Sequence, residues 1–169
     1  IDSQSNRGSP QGGELGFDAG KKVQGRKRHL VVDTLGLLLA VVITSAAVPD
    51  RAAATQAVAQ ACKRTGGSVK TLWADSAYAG QCAQQIEQTH QMKVQIVRNT
   101  GRHRWDDAQQ SLWSEEQPAA MPKKRWVVER THAWMERNRR LVMHHDRKPF
   151  YAAAWVWLAQ ARMLLARLK

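Results

Sequence analysis

The sequence predicts a mixed α/β fold, one sheet covered by helices. Three observations predict it: an early hairpin of β-rich apolar runs, strand–helix alternation after it, and two long helical stretches at the end. The 169 residues suit one compact domain, 1–169, and a hydrophobic content of 43% can support its core.

The first 26 residues hold six glycines and a proline, so beyond Ile1 to Ser5 they predict a loop that orders on binding. Arg28 to Asp33 predicts a strand, Thr34-Leu35-Gly36 a tight turn, and Leu37 to Ala46 a second strand. Asp50 suits the N-cap of an Ala-rich helix over Arg51 to Arg64, which Gly66-Gly67 stops. Val69 to Asp75 predicts a strand, Gly80 to Thr89 a helix and Lys93 to Val97 a short strand. Residues 98–124 are polar and predict an irregular insertion. Two helices follow, Lys124 to Met143 and Pro149 to Leu168.

A net charge of +12, from 26 Lys+Arg against 14 Asp+Glu, favours a polyanionic partner, although a basic coat also serves solubility. Cys62 and Cys82 form no CxxC pair, which excludes a disulfide framework or zinc ribbon and fits a reduced intracellular setting. Leu35 to Val48 is too short for a bilayer, and Gln160, Arg162 and Arg167 interrupt the last apolar stretch, so it predicts a buried helix and no membrane span. The polar start lacks a leader and an initiator Met, which suggests the tail of a longer reading frame.

Three carboxylates carry the chemistry. Asp2 ends or closely follows a first strand of which a stub remains, Asp75 ends a later strand, and Glu129 lies within a basic helix. Acids from separate elements can hold two hard divalent cations ~4 Å apart, which activate a water or 3′-hydroxyl for in-line attack on phosphorus. Plainer readings exist: a frayed Asp2, a turn-capping Asp75, and an exposed Glu129–Arg125 pair at i,i+4.

Ile-Asp-Ser-Gln-Ser at 1–5, Lys-Lys-Val-Gln-Gly-Arg-Lys-Arg-His-Leu-Val-Val-Asp-Thr-Leu-Gly at 21–36 and Ala-Asp-Ser-Ala-Tyr-Ala-Gly at 74–80 resemble bacterial insertion-sequence transposases of the IS4/IS5 type. So does Arg-Trp-Val-Val-Glu-Arg-Thr-His-Ala-Trp-Met-Glu-Arg-Asn-Arg-Arg-Leu at 125–141. The resemblance implies an RNase H-like mixed sheet flanked by helices and an Asp-Asp-Glu site at Asp2, Asp75 and Glu129. It further implies two Mg²⁺ ions, with Mn²⁺ as a substitute, and Arg125 as the family's arginine ahead of the Glu. Double-stranded DNA would be the substrate, at transposon ends and target, with a homodimer in the synaptic complex. The setting would be the bacterial cytoplasm, at the nucleoid.

Pro122 and Glu136 stand where the wider pattern has Tyr and Lys, with Arg137 one step on as a stand-in. The family's region before the first Asp, with most of the first strand, is absent here, so the expected first strand is truncated.

Residues 123–148 carry nine Lys/Arg against three acids: Lys123, Lys124, Arg125, Arg130, Arg137, Arg139, Arg140, Arg147 and Lys148. Such a surface suits phosphate binding. A second cluster, Lys21, Lys22, Arg26, Lys27 and Arg28, could track a DNA backbone. On a helical wheel Arg125, Glu129, His132 and Glu136 share one face, with Val127, Trp134 and Leu141 opposite for packing. Trp73, Trp126, Trp134, Trp155 and Trp157 read as core, and Trp105 or Trp113 as a stacking residue for an unpaired base. His144-His145 reads as a helix end, and both cysteines as buried small residues.

The leading expectation is a transposase domain that hydrolyses a phosphodiester at element ends and transfers the 3′-hydroxyl to target DNA. The alternative is a truncated, inactive DNA-binding remnant or regulatory product. A structure-specific nuclease of the same fold fits the acids but not the motifs.

Overall fold

The computed structural model describes residues 1–97 and 122–167, with side chains in the second stretch from 126 onward. In chain order come β1 (Asp2–Arg7), β2 (Gly16–Asp18), β3 (Val23–Val32), β4 (Leu38–Ser45), α1 (Asp50–Arg64), β5 (Thr71–Ala74), a 3₁₀ turn (Ser76–Tyr78), α2 (Gln81–His90), β6 (Lys93–Ile96), α3 (Pro122–Glu136), α4 (Arg139–Val142) and α5 (Pro149–Arg167).

The described strands form two sheets, where the sequence led us to expect one. β3 is the centre of an antiparallel four-stranded sheet. β1 lies along one edge from Asp2↔Leu30 to Arg7↔Gly25. β4 and β2 share the other edge, through Arg26↔Ser45 and Gly16↔Gly25. β5 and β6 pair in parallel as a second sheet. Asp2 is the first residue of β1, not its end, and Ile1 before it meets β5: its amino nitrogen donates to the Trp73 carbonyl at 2.8 Å. Among the described strands no ladder joins the two sheets.

The β3–β4 hairpin follows directly from its turn residues. Asp33 Oδ1 accepts from the N–H groups of both Leu35 and Leu37 at 2.8 Å, and Gly36 adopts φ +87°, a region open to glycine at little cost. Gly25 is required for another reason: a Cβ there would sit 1.9 Å from the Asn6 carbonyl oxygen.

Alternation along β3 sends its side chains to two cores. Val31, with Ala40 and Val42 of β4, packs against Ala53, Ala54, Ala57, Val58 and Ala61 of α1, and that core continues to Leu72, Tyr78 and Ile86. Alanines let this helix approach the sheet closely. Leu30, with Val41 and Ile43, packs on the other side against Val128 and Met135 of α3, Leu141 of α4 and Val156 of α5. α1 is N-capped by Pro49, not by Asp50, whose carboxylate instead pairs with Lys27 at 3.1 Å.

Three further expectations change. The glycine-rich start contains β2 and the beginning of β3, because each finds a partner strand there. α3 begins at Pro122, inside the segment expected to be irregular; residues 98–121, with Trp105 and Trp113, lie outside the described residues. α5 is buried on one side only, and Tyr151, Leu158 and Leu165 are exposed. Among the described residues no helix is long and apolar enough to cross a membrane.

Candidate active site and nucleic-acid surface

Cross-strand pairing puts Asp2, Gln4 and Asn6 of β1 on one sheet face with Leu30, Arg28 and Arg26 of β3. α3 lies over that face. Gln4 Nε2 donates to Glu136 Oε1 at 2.6 Å, and His132 Nε2 stands 3.8 Å from Asp2 Oδ2. The match is geometric: two strand residues advance about 6.8 Å and four helix residues about 6 Å, so positions 2 and 4 meet 132 and 136.

His132 is buried, and the buried helix face is Val128, Thr131, His132 and Met135. The wheel placed Val127, Trp134 and Leu141 on the packing side. Instead Val127 and Trp134 are half-buried and Leu141 belongs to α4. Burial, then the nearby Arg28 charge, lowers the His132 pKa to about 3. The ring is therefore neutral, and at 3.8 Å its approach to Asp2 is neither an ion pair nor a hydrogen bond. Glu129 is exposed and precedes His132 by one helical turn, a spacing that leaves their Cβ atoms about 5–6 Å apart.

Asp75 follows β5 and caps the 3₁₀ turn, with Oδ1 accepting from the Ala77 N–H at 2.9 Å. Tyr78, at the end of that turn, is buried in the core. Its phenol pKa is raised, by burial first and then by the carboxylates of Asp50, Asp2 and Asp75. Asp2 and Asp75 thus act on the same phenol, as their places just after the Ile1–Trp73 hydrogen bond imply. Among the described residues no group of three His, Cys, Asp or Glu side chains is close enough to hold a metal ion. The three acids suit a hard divalent cation in donor type, but among the described residues they do not form a ligand set.

The second basic cluster divides. Lys21 and Lys22 are exposed. Arg26, Lys27 and Arg28 are buried, which corrects their assignment to DNA contact. Arg26, only 1% exposed, donates to the carbonyls of Glu14, Asp146 and Arg147 at 2.7–3.0 Å. Lys27 donates to the Val48 carbonyl at 2.9 Å and bridges Asp50 and Asp18. Arg28 donates to the Leu141 carbonyl; burial lowers its pKa to about 10, against a raising effect of Glu136.

On the helical side Arg137, Arg139, Arg147 and Lys148 are exposed, and Arg140 pairs with Asp146 at 2.7 Å. Arg130 is half-buried, and its Nη2 donates to the Leu35 carbonyl at 2.9 Å. The side chains of Lys123, Lys124 and Arg125 lie outside the described residues. His144 is buried and bridges to Gly8; burial, then Arg28, lowers its pKa to about 3. Cys82 is buried and Cys62 half-buried.

Sequence reasoning put His132 on the face of Glu129 without giving it a role, and gave none to Gln4 or Tyr78. The i,i+2 spacing of Asp2 and Gln4, against the i,i+4 spacing of His132 and Glu136, was the available signal.

The fold and its surface define a class: an α/β domain with strand-end acids beside a cationic helix. Residues 1–164 match the family model described as the transposase DDE domain, so the chain belongs to that family and to the DDE-type transposases, a class of enzymes. No curated protein and no solved structure matches it significantly.

Proposed function

We propose that the chain is an RNase H-like catalytic domain that cuts DNA at transposon ends and joins the freed 3′-hydroxyl to target DNA, with Asp2, Asp75 and Glu129 as its acids. The observation that carries this reading is the alignment of β1 under α3, which sets Asp2 beside His132, one turn after Glu129, while the charges of Asp2 and Asp75 both help to raise the pKa of the buried Tyr78 phenol.

Asp2, Asp75 and Glu129 would hold divalent cations, Mg²⁺ or Mn²⁺. A bound pair supplies Lewis acidity at the scissile phosphorus and at the leaving oxygen. The chain's own residues do the rest. Exposed Arg137, Arg139, Arg147 and Lys148 attract and position the duplex backbone. Neutral His132 fills the space beside Asp2 without adding a cation. The Gln4–Glu136 hydrogen bond fixes the helix over the strand, and so the separation of Glu129 from Asp2. The substrate is double-stranded DNA, bound by a homodimer in the synaptic complex, in the bacterial cytoplasm at the nucleoid.

The test is cleavage of a plasmid carrying the element's own terminal repeats. The expected result is strand cleavage at the ends that requires Mg²⁺ or Mn²⁺ and is abolished by Asp75→Ala. Cleavage that persists in Asp75→Ala, or that proceeds in EDTA, overturns the proposal.

A further inference from the structure

α5 is apolar on every side. Its 19 residues hold no acid and two cations, Arg162 and Arg167. One face, with Ala152, Val156, Ala159 and Gln160, is buried over β4. The other face carries Tyr151, Ala154, Trp155, Leu158, Ala161 and Leu165, all exposed, although Trp155 was expected in the core. Leu158 keeps 58% of its surface in solvent and Leu165 64%. A helix that is apolar all round belongs in an interior, and half of this one has no cover among the described residues.

Tyr151, Trp155, Leu158 and Leu165 fall at i, i+4, i+7 and i+14, the repeat of a helix-pairing seam, with Arg162 at the i+11 place. The seam is ordered before any partner arrives. Trp155 is held by the Arg140 guanidinium, 5.2 Å from its ring centroid, and Arg140 in turn by Asp146. Arg162 Nη1 donates to Asn138 Oδ1 at 3.3 Å, which draws its charge toward the start of α4.

The stripe is self-complementary. Against a second α5 in antiparallel sense, with Leu158 on a two-fold axis, Leu158 meets its own copy and Tyr151 meets Leu165. Trp155 then meets Ala161, a large side chain against a small one. The stripe offers roughly 600 Å² per copy, about 1,200 Å² for the pair, which reaches the lower bound for a stable specific interface.

We propose that this face of α5 is an interface between two copies of the chain, paired antiparallel about Leu158 in the absence of DNA. The inference goes beyond the synaptic dimer proposed above, since no DNA is needed to hold the pair, and its failure would leave the reading of the acids untouched. Each copy carries a net charge of +12, so the copies repel at low salt. Screening removes that repulsion and leaves apolar burial intact, so pairing tightens with salt, where DNA binding weakens. An acidic amphipathic helix of another protein would lose affinity as salt rises.

The experiment is sedimentation of the chain without DNA at about 0.1 and 1 M NaCl. The expected result is a monomer–dimer equilibrium that tightens severalfold at the higher salt. Leu158→Glu puts two carboxylates on the axis and should weaken pairing on the order of a hundredfold, while thermal melting holds because the side chain is exposed. Oxidation reads the register. Leu158→Cys should form an interchain disulfide above the background set by Cys62 and Cys82, and Leu165→Cys should not, being about 20 Å from its own copy. If Leu158→Glu also lowers the melting point, the cysteine variants decide alone. A chain that stays monomeric at both salt concentrations, or pairs only on DNA, overturns the proposal. So does a dimer indifferent to Leu158→Glu, or one cross-linked equally through both cysteine variants.

Discussion

Gln4 and Glu136, 132 residues apart in sequence, share a 2.6 Å hydrogen bond that ties the sheet's edge strand to the helix bearing Glu129. Glu136 also acts on Arg28 beneath it, whose buried guanidinium it helps to keep charged. A carboxylate here is therefore structural, at the position where the resembled pattern carries a lysine.

Glu136→Ala should cost about 1 kcal/mol, the scale of a single hydrogen bond to a partly exposed charged group. Glu136→Lys should cost more, because it replaces an attractive partner of buried Arg28 with a like charge. Urea unfolding of the two variants checks the order. Equal stability of the lysine variant and the parent would show that the Arg28 coupling has no weight.

Stability should fall on acidification. Burial holds the pKa of His29 at about 4 and that of His144 at about 3. Both lie below the unfolded value of about 6.5, so between those limits the unfolded chain binds more protons. Stability contributed by the neutral rings is complete above about pH 7 and declines as pH drops through 6.5 toward 4. Urea midpoints from pH 7.5 to 4.5 should show a slope approaching two protons from these residues, and His144→Gln should lower it by about one. A flat profile would contradict the burial of both rings as neutral groups.

The basic residues near the start of β3 should separate into two kinds. Arg26→Ala strips three backbone carbonyls of their donor and should destabilise the fold by on the order of 3 kcal/mol. Lys22→Gln should leave stability within about 0.5 kcal/mol and reduce the log–log salt slope of DNA binding by about 0.9. A salt-slope change in Arg26→Ala at full stability would return that arginine to the DNA surface.

Much of the scaffold was legible because its signals are local. Asp33, Leu35 and Gly36 announce the hairpin, and an alanine-rich run ended by Gly66 announces α1. What was missed depends on partners distant in sequence. Three consecutive cations at 26–28 look like surface until the carbonyls of residues 141–147 arrive to receive two of them. β2 is three residues long and exists because Gly16, Phe17 and Asp18 meet Gly25, Gln24 and Val23 of β3. Trp126 fits an apolar helical pattern, yet an open cleft beside the hairpin tip leaves it in solvent. For the candidate site, strand-end position singled out Asp2 and Asp75, and a basic helix singled out Glu129. Nothing local could show that His132 would be buried against Asp2, or that Tyr78 would feel both aspartates.

The final prediction separates chemistry from binding on α3. Glu129 is exposed and one turn from His132, whereas the exposed cations proposed to attract DNA lie further along the chain, at Arg137, Arg139, Arg147 and Lys148. Glu129→Gln preserves size and removes one negative charge, so the variant should fold as the parent does. Without divalent metal its duplex affinity at low salt should hold or rise, since repulsion between the carboxylate and phosphate is gone. With Mg²⁺ or Mn²⁺ present, end cleavage should be lost, because one of the proposed acids can no longer hold a cation. Anisotropy in EDTA and a cleavage assay on the same preparation read the two effects independently. A large loss of affinity in EDTA would place Glu129 in DNA recognition, and unchanged cleavage would remove it from the proposed acids.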